Sequence, residues 1–444
     1  MKSNVRSRSR GARRLLVAAA ALTLISASLA PQIAAAHPAR AAQTLIFWQW
    51  VNGADKAVAL YNKQHPEVKI IMRNVGAGQV LYTKLQTALK AGTGAPDLAQ
   101  VEFQQLPQFI GTGGLLDLGK YGANAVKDQF IPWTWSQVSQ GSSVYAIPQD
   151  TGPMGLYYNA ATFAKYHVAV PTTWAEFADA AAKLHAANKN LYILDWDPST
   201  TGGAWLIGLI WQAGGRVFTK SGNSWKVSID TPISQKVAAY WGDLVNKGLL
   251  KVESHWGADL HSDWAKGNVA SAITAVWEQN NFSQFAPKQA GQWAVAPLPQ
   301  WNKGEHAAGN WGGSTTAVTT QSKDPQDAAK FATWLNTNPT AYGLMIKGNG
   351  LWPATKQLVD NMDKIQGGNP FYKGNQHVAR VFAAAESQVN PNFDWGPQMS
   401  FTYAKWADNF AAATKGRMTW SAAMKKTQQQ VVGFMNSQGL TVSQ

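Results

Sequence analysis

Four acids, Glu102, Asp150, Glu278 and Asp394, lie in segments that also carry Trp48, Gln49, Trp50, Asn52, Trp277, Asn310, Trp311, Gly312, Gly313, Trp352 and Trp395. Carboxylates and amides bond hydroxyl groups, and an indole face packs on a flat apolar surface, so this mixture suits a ligand that is polar at its rim and apolar on its faces. Two carboxylates could instead perform glycoside hydrolysis at a separation of about 5 to 10 Å, but nothing in the chain pairs any two of these four at that distance. His255, Asp259, His261 and Asp263 are metal-ligating types whose spacing enforces no coordination geometry, so no metal is assigned. The chain has no GxSxG, HExxH or P-loop motif, and nothing in it calls for a cofactor. The glycines at 111–114 follow a helical stripe and read as its C-cap rather than a phosphate cradle.

Stepping from these residues to the elements that hold them, residues 44–50 read as a strand, and Asn52 can cap a helix over 54–65 that Pro66 ends. A second strand over 68–75, a helical stripe at Leu81, Leu85, Ala88 and Leu89, and a third strand over 97–101 follow. This βαβαβ order predicts a mostly parallel sheet wrapped by helices. Ligands sit beyond the carboxyl ends of such strands, which points at Gln49 to Asn52, at Val75 to Gly78, and at Glu102 and Phe103. One Trp of the alternating pair 48 and 50 should face the core, and Asn52 serves equally well as a plain cap.

A second α/β body is predicted from Thr173 and Glu176, a capping box for a helix to about 187, through a strand over 191–196, an apolar helix over 205–213 and a hairpin turning at 221–223. The run 269–276 reads as a buried strand that delivers Trp277 and Glu278. Strands over 293–297 and 309–318, a helix opened by Asp324 and Pro325, and a mostly helical remainder from about 355, broken by a loop at 390–397, complete the chain.

At 444 residues the chain has room for two or three domains, and its 21 tryptophans exceed what a core alone requires. Residues 1–36 look like a signal peptide: six basic residues, an apolar run over 15–29 and a small-residue site at 34–36, with cleavage possible as late as 42. The segment supplies six of the fourteen net positive charges and leaves about +8 in the scattered remainder, which argues against a nucleic-acid partner. Cysteine is absent, so disulfides, thiolate chemistry and a lipid-anchoring Cys are excluded. Export is expected, to a periplasm or the outer face of the cytoplasmic membrane.

The segment 145–174 carries a specific pattern: Tyr145, Pro148, the aromatic pair Tyr157 and Tyr158 followed by Asn159, then Pro171 and Trp174. With YTKLQTALKAGTGAPDLAQVEFQQLPQFIGTGGLLDL (82–118), WAVAPLP (293–299), GGSTTAV (312–318) and AAKFATWL (328–335), it resembles the family 1 extracellular solute-binding proteins of bacterial ABC importers, in family order over nearly all of the chain after residue 42. The resemblance implies a two-lobed α/β fold of the periplasmic-binding-protein type II, like that of maltose-binding proteins, with ligand in the interlobe cleft. It implies a first lobe of 43–150 plus about 309–350 and a second of about 154–300 plus about 354–444. Three crossings are expected, near 149–153, 299–310 and 348–353, with Gly152 as a flexing point. The implied function is binding, not catalysis: a monomer captures a mono- or oligosaccharide and delivers it to the transmembrane subunits of an ABC permease. The rivals are a binding protein for a polyamine, phosphate ester or peptide, and a secreted glycoside-acting enzyme. The ligand contacts expected are the residues that opened this section other than Asp394.

Overall fold

A computed structural model describes residues 43–443, so the expected signal segment lies outside the described residues. The strands Gln43–Trp48, Val68–Arg73 and Leu98–Glu102 pair in parallel, with Gln43–Trp48 between the other two. The helix Ala54–Gln64 that links the first two buries Ala54, Ala57, Val58 and Tyr61, the i, i+3, i+4, i+7 stripe of a helix covering a sheet. Its N-cap is Gly53 and no side chain caps it, so the capping role expected of Asn52 is not filled.

The sheet is mixed rather than mostly parallel. Ser314–Val318, far along the chain, inserts antiparallel between Leu98–Glu102 and Ala146–Pro148. It runs backwards because it returns from a second body, entering the sheet at the edge where the parallel strands leave it: Ser314 lies opposite Glu102 and Thr315 opposite Pro148. Trp50, Glu102, Asp150, Gly312 and Gly313 therefore gather at one edge.

The second body centres on Met154–Asn159, which pairs antiparallel with Ser271–Ala275 and Trp293–Ala296, beside the parallel pair Leu194–Trp196 and Leu250–Val252. The capping box forms, with Glu176 N donating to Thr173 Oγ1 at 3.2 Å and Thr173 N to Glu176 Oε2 at 3.1 Å. Much of the tryptophan excess goes to packing: Trp174, Trp196, Trp211, Trp241, Trp264, Trp293, Trp352 and Trp406 are all fully buried.

Between the two sheets the chain segments are laced together. Thr151 N donates to Trp352 O (3.0 Å), Trp311 N to Gly152 O (2.8 Å), Met154 N to Gly309 O (3.0 Å) and Ala354 N to Gln149 O (3.3 Å). A Cβ on Gly152 would lie 1.9 Å from the carbonyl oxygen of Trp311, so glycine is there because another backbone touches it. The joint expected at Gly152 is packed, not loose. Buried Glu386 adds to the lacing: it accepts from Thr151 Oγ1 (2.6 Å) and Trp133 Nε1 (2.9 Å), and burial pushes its carboxyl up to about 7.

Candidate functional site

The strand ends of the two bodies open on a common cleft of about 1280 Å³. On the side of the first sheet, Tyr82, from the helix Gln79–Lys90, donates its hydroxyl to Glu102 Oε2 at 2.7 Å and accepts from Glu102 N at 3.1 Å. Trp50 stands edge-on to the Tyr82 ring, 6.3 Å between centroids. Asp150 accepts from Ser314 N at 3.1 Å. Gly313, at φ 102°, gives the chain a turn that a side chain would oppose, and a Cβ there would meet Asp150 O at 2.8 Å.

Burial raises the Glu102 carboxyl above the usual range. Asp150 is pushed up to about 7, by burial first and then by the charge of Glu102. Tyr403, on the helix Met399–Thr414 that packs on the second body, also lines the cleft, and its hydroxyl is raised by burial first and then by the charge of Glu102. Among the described residues lining the cleft, Lys90 is the only basic side chain.

Three indoles cluster in the same cleft. Trp277 lies 5.7 Å from Trp256 and 5.3 Å from Trp311, and Trp256 lies 6.2 Å from Trp311. Trp256 is 45% exposed, so its ring is offered to the cleft rather than spent on packing. Behind them the buried His255 ring sits 5.4 Å from Trp311 and holds Asp195 Oδ2 at 2.9 Å. Burial works against the charged form of His255, but the Asp195 carboxylate outweighs it and raises the imidazole. The two bodies meet at a polar contact, where Ser400 Oγ donates to Gln79 Oε1 at 2.9 Å.

Half of the expected contacts line this cleft: Trp50, Glu102, Asp150, Trp277, Trp311, Gly312 and Gly313. The others do not. Trp48 is half-buried against the core and does not line the cleft; alternation does not separate it from Trp50, because positions i and i+2 share a strand face, and the strand ends at Trp48. Gln49 is buried and builds the loop that carries Trp50, its Oε1 accepting from Trp50 N (2.8 Å) and Val51 N (3.1 Å) while its Nε2 donates to Gln149 Oε1 (3.0 Å). Asn52 is exposed and off the cleft. Glu278 is fully buried, accepts from Asn281 Nδ2 at 3.1 Å, and is raised by burial. Asn310 bonds backbone on both sides, accepting from Gly152 N and donating to Gly312 O, each at 2.9 Å. Trp352 packs against Phe382, and Trp395 against Phe393 and Trp211. Asp394 pairs with Arg216 at 3.8 Å, away from the cleft.

The histidine and aspartate series also disperses. His261 stacks on Phe285 and Asp263 pairs with Lys251 at 2.9 Å. Tyr82, Trp256 and Tyr403 are cleft residues that sequence reasoning missed. Trp256 follows the carboxyl end of the short strand Leu250–Val252, so the strand-end rule that found Trp50 could have found it.

Comparison with known proteins adds the following. A family model described as bacterial extracellular solute-binding protein matches residues 48–342. The chain is 25% identical over 365 residues to an arabinooligosaccharide-binding protein of Halalkalibacterium halodurans, covering 79% of this chain and 80% of that one. It is 25% identical over 324 residues to a lactose-binding protein of Rhizobium radiobacter, covering 69% and 74%. Among solved structures, the galacto-N-biose-/lacto-N-biose I-binding protein of the ABC transporter from Bifidobacterium longum, in complex with lacto-N-biose, superposes with a TM-score of 0.81 at 28% identity, over 91% of this chain and 100% of that one. The ABC transporter associated binding protein from B. animalis subsp. lactis Bl-04, in complex with β-1,6-galactobiose, gives a TM-score of 0.79 at 27% identity, over the same shares.

Proposed function

This chain belongs to the bacterial extracellular solute-binding protein family and has its two-lobed type II fold, and on that premise we propose that it captures a sugar or oligosaccharide and hands it to the membrane subunits of an ABC importer. The observation that carries the reading is that the Trp256, Trp277 and Trp311 cluster and the carboxyl groups of Glu102 and Asp150 line one cleft. Indole faces take the CH surface of a pyranose ring, and acceptors at the rim take its hydroxyls. The acidic floor disfavours a phosphate ester. The sites assigned are Trp50, Glu102, Asp150, Trp277, Trp311, Gly312 and Gly313, with Tyr82, Trp256 and Tyr403 added.

In this reading the lobes divide at the laced segments, 43–150 plus about 309–350 against about 154–300 plus about 354–443. Sugar contacts to both lobes favour the closed arrangement, a population shift that the permease reads. The protein acts as a monomer outside the cytoplasmic membrane and performs no catalysis. Among the described residues no helix is long and apolar enough to cross a membrane. Calorimetric titration with neutral mono- and oligosaccharides, a phosphorylated sugar and a polyamine tests the assignment. Binding confined to neutral sugars, with the oligosaccharides recovered intact, is expected. Binding of the polyamine or the phosphorylated sugar alone overturns it.

A further inference from the structure

The cleft does not stop at the three indoles. Gln79, Tyr82, Gln86 and Lys90 all line it, and their i, i+3, i+7, i+11 spacing is one face of the helix Gln79–Lys90 from its first residue to its last. At 1.5 Å per residue that face runs about 16 Å. The cleft volume of about 1280 Å³ also exceeds the roughly 300 to 1,000 Å³ that encloses one compact small ligand.

A second aromatic platform stands on the opposite wall. Phe401, in the first turn of the helix Met399–Thr414, and Phe434, near the end of the helix Trp420–Ser437, stack 3.9 Å apart with their planes 10° from parallel, and both rings remain partly exposed and line the cleft. The wall is continuous between the platforms. Thr201 touches the recess shared with His255 and Trp311, the helix Thr200–Gln212 packs on Met399–Thr414, and Tyr403 and Ala404 lead on to Phe401. The same cleft is also lined by the neutral amides Gln438, Gln86 and Gln108, which bond hydroxyls as donors and acceptors, with Lys90 the one basic side chain beside them.

Resting on the sugar reading, we infer that the cleft is built for a neutral oligosaccharide of about three or more linked rings, its inner end in the indole recess and an outer ring on the Phe401–Phe434 stack. Chain length is then read by the C-terminal helix: a monosaccharide or disaccharide in the recess leaves the outer platform empty and forgoes its contribution. One stacked ring contributes about 1 kcal/mol beyond its area, about fivefold in affinity.

The test is titration of arabinan- and galactan-derived series from monosaccharide to pentasaccharide against the full chain and against Phe401→Leu and Phe434→Leu. Leucine keeps the apolar bulk that the helix pair needs and removes the flat face. Unfolding midpoints within a few degrees of the parent confirm that both variants are folded. Affinity rising about fivefold from disaccharide to tetrasaccharide in the parent, and that ratio collapsing in both variants, is the expected result. A flat or falling affinity with length, or a ratio unchanged in both variants, overturns the length inference while leaving sugar capture standing. Failure of every sugar in the series to bind overturns the sugar reading itself.

Discussion

Replacing Asp150 with Asn is expected to make the protein more stable and a worse receptor. Asp150 is buried at the first crossing, its Oδ1 accepts from Ser314 N at 3.1 Å, and its carboxyl is raised from 3.8 to about 7. A carboxyl raised on folding favours the fold while it is protonated in both states, below about pH 4, and that advantage is lost as pH climbs through about 7. Three pKa units correspond to about 4 kcal/mol of penalty at pH 8, falling to about 1.5 kcal/mol at pH 5, as an upper limit. Solvent reaching the cleft reduces this, and about 2 kcal/mol at pH 8 is the working figure. Asparagine keeps the Oδ1 acceptor for Ser314 and carries no charge, so it removes the penalty without opening a cavity. The assay is urea unfolding of both proteins at about pH 4, 6 and 8. The stability difference should be small at the lowest pH, widen as pH rises and favour Asp150→Asn at the highest. Sugar affinity should fall more than tenfold in the same variant, since a bond to a charged acceptor is worth about 1.5 to 3 kcal/mol. An Asn variant destabilised by the same amount at every pH would refute the reasoning, because the charge would then cost the fold nothing.

Gly152→Ala drives a Cβ against the Trp311 carbonyl, a backbone atom that cannot swing away. Thermal unfolding should show a loss of about 3 kcal/mol or more, and a variant within about 0.5 kcal/mol of the parent would mean that the crossings give way easily. Tyr82→Phe removes the hydroxyl that both donates to the Glu102 carboxylate and accepts from its backbone N–H. A stability loss of about 1 to 3 kcal/mol is expected by denaturant titration, together with weaker sugar binding. Trp256→Ala truncates a side chain that is nearly half exposed, so calorimetry should register weakened affinity at every sugar length while the unfolding midpoint hardly moves.

The order of motifs along the chain gave the family and the two-lobed fold, while what residue chemistry alone gave was local. The Thr173 and Glu176 box and the Asp324 start of Pro325–Thr337 are each carried by a few adjacent residues, and they formed as read. Trp50 and Glu102 followed from the rule that ligands gather at strand ends, which needs only the strand's last residue, and Trp277 followed from the family resemblance. Trp352 and Trp395 resisted because an indole suits a core as well as a sugar, and only the packing of Phe382 and Phe393 decides. Gln49 and Asn310 looked like ligand amides but satisfy backbone N–H groups: Gln49 those of Trp50 and Val51 in its own loop, and Asn310 that of Gly152, a demand that exists only once distant segments meet. Tyr82 stands beside the Leu81, Leu85, Ala88 and Leu89 stripe, where nothing local marks it, and its hydroxyl reaches Glu102 because the helix Gln79–Lys90 borders the cleft. Phe401 and Phe434 lie thirty-three positions apart, and no periodicity within one helix announces their stack.

The account turns on where a sugar sits, so a crystal structure of the protein with the tightest sugar of the titration series is the most direct test. The prediction is one ring against Trp256, Trp277 and Trp311, with hydroxyls on Glu102 and Asp150 and the chain continuing toward Phe401 and Phe434. A sugar bound elsewhere, or held in the cleft without touching the indoles or either carboxylate, would contradict it.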